Sequence, residues 1–332
     1  RQYQYQYQYQ YQHQYQYQHE HRRQHPHPNR TLTLLTLLFK TARFIHIYTR
    51  PSSLPRYLHT SPSGQSPWAL VTGASDGIGR GYAHELASHG FNIILHGRNP
   101  YKLSSVQASI LAAHPKTQTR LMVLDATTCS APDIAAAVKE LACAGLHVTV
   151  LVNNVGTGTT PSGHVFANFE DEDASDIDAI INTNARFPAL ITHFVLPILQ
   201  TPALILTMAS ISDVGSPYIS VYSGTKAFDS SFSKALRREM IAEGRDVEVL
   251  AVMTAMVTET GTSRGEVSVV QPDARRYARS ALQRVGCGHE VVEGWCAHWL
   301  VRGFTQCIPD SWLTGMLIGS VRAAMEEEGK RK

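Results

Sequence analysis

Tyr222 and Lys226 stand four residues apart in Tyr222-Ser-Gly-Thr-Lys226. That spacing puts a phenol and an ammonium on one face of a helix. A free phenol titrates near pH 10, about, and is a poor proton donor in neutral water. A neighbouring cation favours the phenolate and brings the group toward the range where it can give and take a proton. The pair is a candidate acid–base device. A second chemical signal lies upstream, in Thr72-Gly-Ala-Ser-Asp-Gly-Ile-Gly79. Gly73, Gly77 and Gly79 follow an apolar run and open a helical pattern that reaches about residue 88. Glycine lets the backbone turn sharply and approach a pyrophosphate, and the helix N-terminus attracts its charge. With Ser75, Asp76 and Ile78 between them, these glycines read as a dinucleotide cradle.

Other residues extend that site. The apolar run 91–96 is a predicted second strand, followed by Gly97 and Arg98. An enzyme using NAD usually carries an acid there for the ribose 2′-hydroxyl, whereas an arginine suits a 2′-phosphate. Arg98 therefore predicts NADP(H). A third strand, 121–125, ends in Asp125, placed to accept from the adenine amino group, and a fourth, 148–152, runs into Asn153-Asn154-Val155-Gly156. A long helix is predicted over 176–199, a fifth strand over 203–208 and a sixth over 247–253. Strand and helix patterns alternate throughout. They predict an α/β fold, a doubly wound parallel sheet of Rossmann type, with ligand at the strand carboxyl ends.

Composition narrows the function classes. The 332 residues are 43% hydrophobic and 17% charged, as in ordinary globular chains. Residues 1–70 hold eight Lys/Arg and one acid, leaving 22 basic and 26 acidic residues for the rest, a net of −4. The formal +3 thus belongs to the N-terminal segment, and a nucleic-acid-binding patch on the folded part is not supported. Cys129, Cys143, Cys287, Cys296 and Cys307 include no C-x-x-C pair, which reads as reduced thiols without a zinc site. The acidic run at 170–173 reads as a solvated loop and helix start rather than a metal site.

Three regions are expected. Residues 1–30 form a Gln-Tyr-rich, His-containing low-complexity tail without the aliphatic residues for a core, hence disordered. Residues 31–67 comprise a hydrophobic stretch, 31–48, and a Pro/Ser linker. Lys40 and Arg43 interrupt that stretch, which fits an interfacial or short membrane anchor, a transit peptide, or an amphipathic helix packed on the domain. Residues 68–332 form the Rossmann-type domain, its C-terminal part a substrate cap. Trp295, Trp299, Phe304 and Trp312 suit core packing there better than an acyl channel.

Taken in order, Thr72-Gly73-x3-Gly77-x-Gly79, Asn153-Asn154-x-Gly156, Ser210 and Tyr222-x3-Lys226 resemble the short-chain dehydrogenase/reductase family over about residues 68–260. Val155, the loop at 72–79 and the stretch Pro51-Ser-Ser-Leu-Pro-Arg-Tyr57 are similar to a membrane-bound branch, the very-long-chain 3-oxoacyl-CoA reductases and their 17β-hydroxysteroid dehydrogenase relatives. The resemblance implies hydride transfer from NADPH to a ketone. Tyr222 would supply the proton, Lys226 would tune Tyr222 and hold the nicotinamide ribose, and Ser210 would orient the carbonyl, with Ser212 a competitor. Asn184 would hold a water behind the lysine. It implies an acyl-CoA substrate, with a steroid or other apolar ketone as the alternative, and a homodimer. It also implies a place at the endoplasmic reticulum membrane, with mitochondrion or cytoplasm as alternatives. One departure stands out: Thr254-Ala255 replaces the family's Pro-Gly after the sixth strand, ahead of Val257, whose backbone would meet the nicotinamide carboxamide. That change motivates a rival reading, a dinucleotide-binding protein without catalysis.

Overall fold

The structure, a computed structural model, describes residues 30–261 and 265–329. The low-complexity tail up to residue 29 and the last three basic residues lie outside the described residues. Two compact units divide at Arg50. In the first, helix α1 (Arg30–Thr49) contains the whole hydrophobic stretch. Among the described residues, no helix is long and apolar enough to cross a membrane.

The second unit is built on seven parallel strands. In chain order they are β1 (Pro67–Val71), β2 (Asn92–Gly97), β3 (Thr119–Val123), β4 (His147–Asn153), β5 (Ala203–Ser210), β6 (Val247–Thr254) and β7 (Val291–Glu293). Their spatial order is β3-β2-β1-β4-β5-β6-β7, a doubly wound arrangement that reverses between β1 and β4. β1, β2, β4 and β5 are buried at every position, as strands covered on both faces must be. The helices between them are α2 (Gly77–Ser88), α3 (Pro100–Ala113), α4 (Ala131–Cys143), α5 (Ala174–Ile181), α6 (Phe187–Val195), α7 (Ser220–Ala242) and α8 (Ala274–Leu282). Two more, α9 (Cys296–Thr305) and α10 (Asp310–Gly329), end the chain. One face of the core joins Ile134, Val138 and Leu141 of α4 to Phe187, Ile191 and Val195 of α6 over β4 and β5.

Four features differ from the sequence expectation. The helix predicted over 176–199 is two helices joined by a π-turn, Asn182–Arg186. The short edge strand β7 was not anticipated, because three residues carry no periodicity. The Pro/Ser segment before β1 is packed rather than free. Leu54 and Tyr57 are buried, the Tyr57 hydroxyl donates to Glu248 Oε2 at 2.5 Å, and the Tyr57 carbonyl accepts from Thr149 Oγ1 at 2.8 Å. Leu54 and Tyr57 stand three apart in a short 3-10 turn, Leu54–Tyr57, which puts both on its inner side. Phe304 and Trp312 also depart from expectation: both are exposed rather than in the core.

Candidate active site

The glycine loop leaves β1 and enters α2. Gly73 and Gly77 adopt φ of +64° and +54°, left-handed backbone that favours glycine. Gly79 is required for a different reason: a Cβ there would stand 2.2 Å from the Gly73 carbonyl oxygen and 2.4 Å from Asn154 Nδ2. Asp76 caps α2, its Oδ1 accepting the Gly77 amide at 2.8 Å. Ser75 lies beside Gly97, whose missing side chain leaves Ser75 Oγ 3.5 Å from the Cβ position. Ile78 stands in the first turn of α2. Arg98 follows Gly97 on the exposed rim, and Lys102 Nζ lies 3.9 Å from Asp76 Oδ2, a second cation beside the loop that sequence reading missed. Asp125 closes the turn after β3, its carboxylate accepting the Thr127 amide at 2.9 Å. Glycines that keep one loop bare of side chains, aimed along a helix N-terminus, fit a bound dinucleotide.

Thr72 ties this loop to β4. Its buried hydroxyl donates to the Val152 carbonyl at 3.1 Å and accepts the amides of Asn154 at 2.9 Å and Val155 at 3.0 Å. The Asn154 side chain returns to the Thr72 carbonyl at 3.0 Å, and Asn153 Nδ2 donates to Thr192 Oγ1 at 2.7 Å. His96, also unanticipated, accepts the Gly73 amide at Nδ1 at 3.4 Å, while its own carbonyl takes the Ala74 amide at 2.9 Å. Burial, opposed by Asp125, pushes the His96 imidazole down to about 4, so it is neutral and can serve as an acceptor.

The π-turn delivers Asn184 to the centre of the molecule. Its Oδ1 accepts the Thr157 amide at 2.8 Å, and its Nδ2 donates to the Thr157 carbonyl at 2.9 Å and to Thr225 Oγ1 at 3.2 Å. A Cβ on Gly156 would lie 3.3 Å from Lys226 Nζ and 3.4 Å from Asn184 Oδ1. Gly156 thus keeps a space open between them. Ser210 ends β5, where its hydroxyl bonds Ser212 Oγ and accepts the Ser212 amide, both at 3.2 Å. Of the two serines Ser210 is the buried one.

Tyr222 and Lys226 share a face of α7, with Lys226 Nζ 5.9 Å from the Tyr222 ring centre. Lys226 is buried and donates to the Met208 carbonyl and to Asp229 Oδ2, each at 2.9 Å. Burial acts against the ammonium, but Asp229 outweighs it and holds Lys226 above the ordinary lysine range. Asp229 is a group the sequence reading overlooked; its i, i+3 spacing from Lys226 was the available signal.

The segment after β6 closes the site. Ala255 donates its amide to His298 Nδ1 at 3.2 Å, and His298 in turn meets the Val270 carbonyl at 3.2 Å. Val257 is buried, the Thr258 amide bonds the Pro272 carbonyl at 2.9 Å, and Thr260 packs against Gly77, its Cγ2 3.4 Å from the Cβ position there. Without Pro-Gly, the chain still runs back to the glycine loop, with His298 as its brace. Among the described residues, no group of His, Cys, Asp or Glu is placed to hold a metal ion.

A family model described as short chain dehydrogenase matches residues 67–268. A protein of Scheffersomyces stipitis named very-long-chain 3-oxoacyl-CoA reductase is 33% identical over 260 residues, covering 75% of this chain and 72% of that one. One of the same name from Mycosarcoma maydis is 31% identical over 288 residues, covering 83% and 80%. Across the curated relatives shown by the comparison, the chain spans from 62% to 80% of their length. In fold, the chain is similar to a short chain dehydrogenase from Burkholderia cenocepacia solved in complex with NADP. The TM-score is 0.58 at 21% identity, over 69% of this chain and 96% of that one.

Proposed function

The chain belongs to the short-chain dehydrogenase family, and on that premise we propose that it reduces a ketone to an alcohol with NADPH, the substrate being a long or very long 3-oxoacyl-CoA. The observation that carries this reading is the Tyr222–Lys226 pair, an ammonium buried beside a phenol past the carboxyl ends of the strands. The relatives' shared name supports the substrate class.

The dinucleotide, when bound, supplies the hydride. Gly73, Gly77 and Gly79 hold its pyrophosphate against the N-terminus of α2, with Ser75, Asp76 and Ile78 forming the rest of the loop. Arg98 would pair with the 2′-phosphate, and Asp125 would take the adenine amino group. Asn153 and Asn154 keep the end of β4 against the loop. The backbone at Val257 would meet the nicotinamide carboxamide. Tyr222 gives its proton to the developing alkoxide while Ser210 donates to the same oxygen. Lys226 stabilises the phenolate left behind, and Asn184 and Gly156 flank the space through which a water can return the proton. An open cavity of about 520 Å³ lies between α7, the turn after β5 and α10, where Val214, Pro217, Leu317 and Ile318 stand among the polar Asp213, Ser216, Ser220, Ser223 and Thr314. Its four apolar side chains give an acyl chain room beside that end of the site.

The exposed Leu34, Leu35, Leu38, Phe39 and Ile45 of α1, interrupted by Lys40 and Arg43, suit attachment at the endoplasmic reticulum membrane surface. Deleting residues 1–50 should release the protein from microsomes; equal recovery of both chains in the soluble fraction would overturn the attachment. For the reaction, purified protein should oxidise NADPH with 3-oxoacyl-CoA thioesters and not with steroid ketones, and Tyr222→Phe should lower kcat by about 10²–10⁴-fold. Turnover of steroid ketones alone would refute the acyl-CoA assignment. NADPH binding together with equally absent ketone reduction in the parent and in Tyr222→Phe would favour the non-catalytic reading.

A further inference from the structure

Lys226 and Asp229 form an ion pair that is almost dry: their side chains are 6% and 1% exposed. The ammonium is fixed on two sides, by the Met208 carbonyl and by Asp229 Oδ2. Its third side faces the space beside Gly156 and the Tyr222 ring. The other carboxylate oxygen of Asp229, Oδ1, is buried without a hydrogen-bond partner. A buried pair of this kind is a poor way to gain stability, since apolar side chains of similar volume do as well or better. Its geometry calls for another reason. We propose that Asp229 is a positioning residue for the Tyr222–Lys226 pair: its carboxylate keeps the buried Lys226 ammonium charged and pins it between Met208 and Gly156.

This inference rests on the acid–base role proposed for Tyr222 and Lys226. An ammonium out of water gives up its proton readily unless an anion compensates it. A neutral amine at position 226 would withdraw the charge that stabilises the Tyr222 phenolate. The groups acting on the pair are few. On α7 they are Tyr222 and Asp229, both of which favour the Lys226 cation against its burial. Lys226 is in turn the charged group that opposes the burial of Asp229. β5 contributes the Met208 carbonyl. From β6 comes the Met253 sulfur, 3.5 Å from Ser230, the residue after Asp229. The turn after β5 and α9 contribute the Asp213–Arg302 pair, which reaches α7 at Ser230, 3.4 Å from Asp213.

The test titrates Lys226 itself. In full-length protein labelled with ¹⁵N-lysine, the Nζ signal lost in Lys226→Met identifies the group. In the parent it should remain an ammonium through pH 9. In Asp229→Asn it should titrate at least about two pH units lower than in the parent. Asp229→Glu, which keeps the charge, should restore the parent behaviour. Asp229→Ser, which admits a water, is the second charge-removing variant should the Asn protein not fold. The rate of NADPH-dependent ketone reduction should follow: near that of the parent at pH 6.5 in Asp229→Asn, then falling progressively below it as the pH rises through the range in which the Lys226 signal of the variant titrates. A purely structural role would lower activity equally at every pH. Titration of Lys226 in a folded Asn or Ser variant within half a unit of the parent would overturn the proposal. The lysine signal needs no substrate, so a parent without turnover on any ketone defeats the reductase reading and leaves the Asp229 result standing on its own.

Discussion

Replacing Thr72 by valine isolates one atom that ties the cofactor loop to the sheet. The two side chains have nearly the same shape, and Thr72 is fully buried, so the packing is retained. What is lost is the hydroxyl, with one hydrogen bond to the Val152 carbonyl and, more costly, the acceptor for the amides of Asn154 and Val155. The Asn154 amide keeps the Val152 carbonyl at 3.1 Å, so the Val155 amide is the donor stranded; that donor and the lost hydroxyl bond together should destabilise Thr72→Val by about 2–3 kcal/mol. For a domain of this size the melting temperature should fall by about 4–8 °C. Thr72→Ser keeps the oxygen and should lose less than half as much. The amides at stake belong to the Asn154 loop, which packs on Gly73 and Gly79. NADPH affinity should therefore fall with stability in the valine protein. Thermal melts and a fluorescence titration with NADPH measure both. A valine variant melting within 2 °C of the parent, or a serine variant equally damaged, would show that Thr72 does not carry the junction.

Three further outcomes are expected. Gly156→Ala would place a methyl 3.3 Å from Lys226 Nζ and 3.4 Å from Asn184 Oδ1; kcat should fall about tenfold or more with little change in melting temperature, because the space for a relay water is filled rather than the core disturbed. Arg98→Ala should raise the Kd for NADPH far more than that for NADH, and an unchanged ratio in binding titrations would remove Arg98 from phosphate recognition. Glu85, 3% exposed, is gripped by Arg275 and Arg279 at 2.9 Å each, joining α2 to α8. Burial raises its carboxyl, but the two guanidinium groups outweigh that and hold it below the usual glutamate range. Its contribution to stability is thus present above the unfolded-state value of about 4.3 and is lost as pH falls through the folded one. Glu85→Gln should cost stability at pH 7 and flatten the loss of stability between pH 5 and 3 in urea melts.

The fold was legible because its signals are local. A buried parallel strand is a short apolar run, a glycine turn follows the first, and helical periodicity separates the rest; Trp68 to Val71, Ile93 to Leu95 and Val150 to Val152 are all buried as those runs imply. Most of the residues singled out for chemistry also lie at strand ends or on one face of α7, where their spacing put them. The supports behind them were harder to read. Asp229 passed unread, because nothing in Tyr222-x3-Lys226 says which side of the lysine faces inward. His96 and His298 work through backbone amides, at Gly73 and Ala255, and a bond to an amide leaves no trace in residue type. Tyr57 needed Glu248, 191 positions away, to show that its segment docks. The spanning reading for residues 31–48 gains no support, since among the described residues no helix is long and apolar enough to cross a membrane.

The wide turn at Asn182–Arg186 makes the site depend on how many residues the chain has, as well as which ones. A π-turn holds one residue more than the α-helical turn it replaces. It takes up that residue between the buried positions Ala179 and Ile180 before it and Phe187, Ile191 and Val195 after it, and so turns Asn184 inward. Deleting one residue between them would let the helix run straight with both flanks still facing their partners. Asn184 would then swing away from Thr157 and Thr225. A single-residue deletion here should keep the fold and cost activity, and the helix acts as a vernier whose extra mark sets where the amide points.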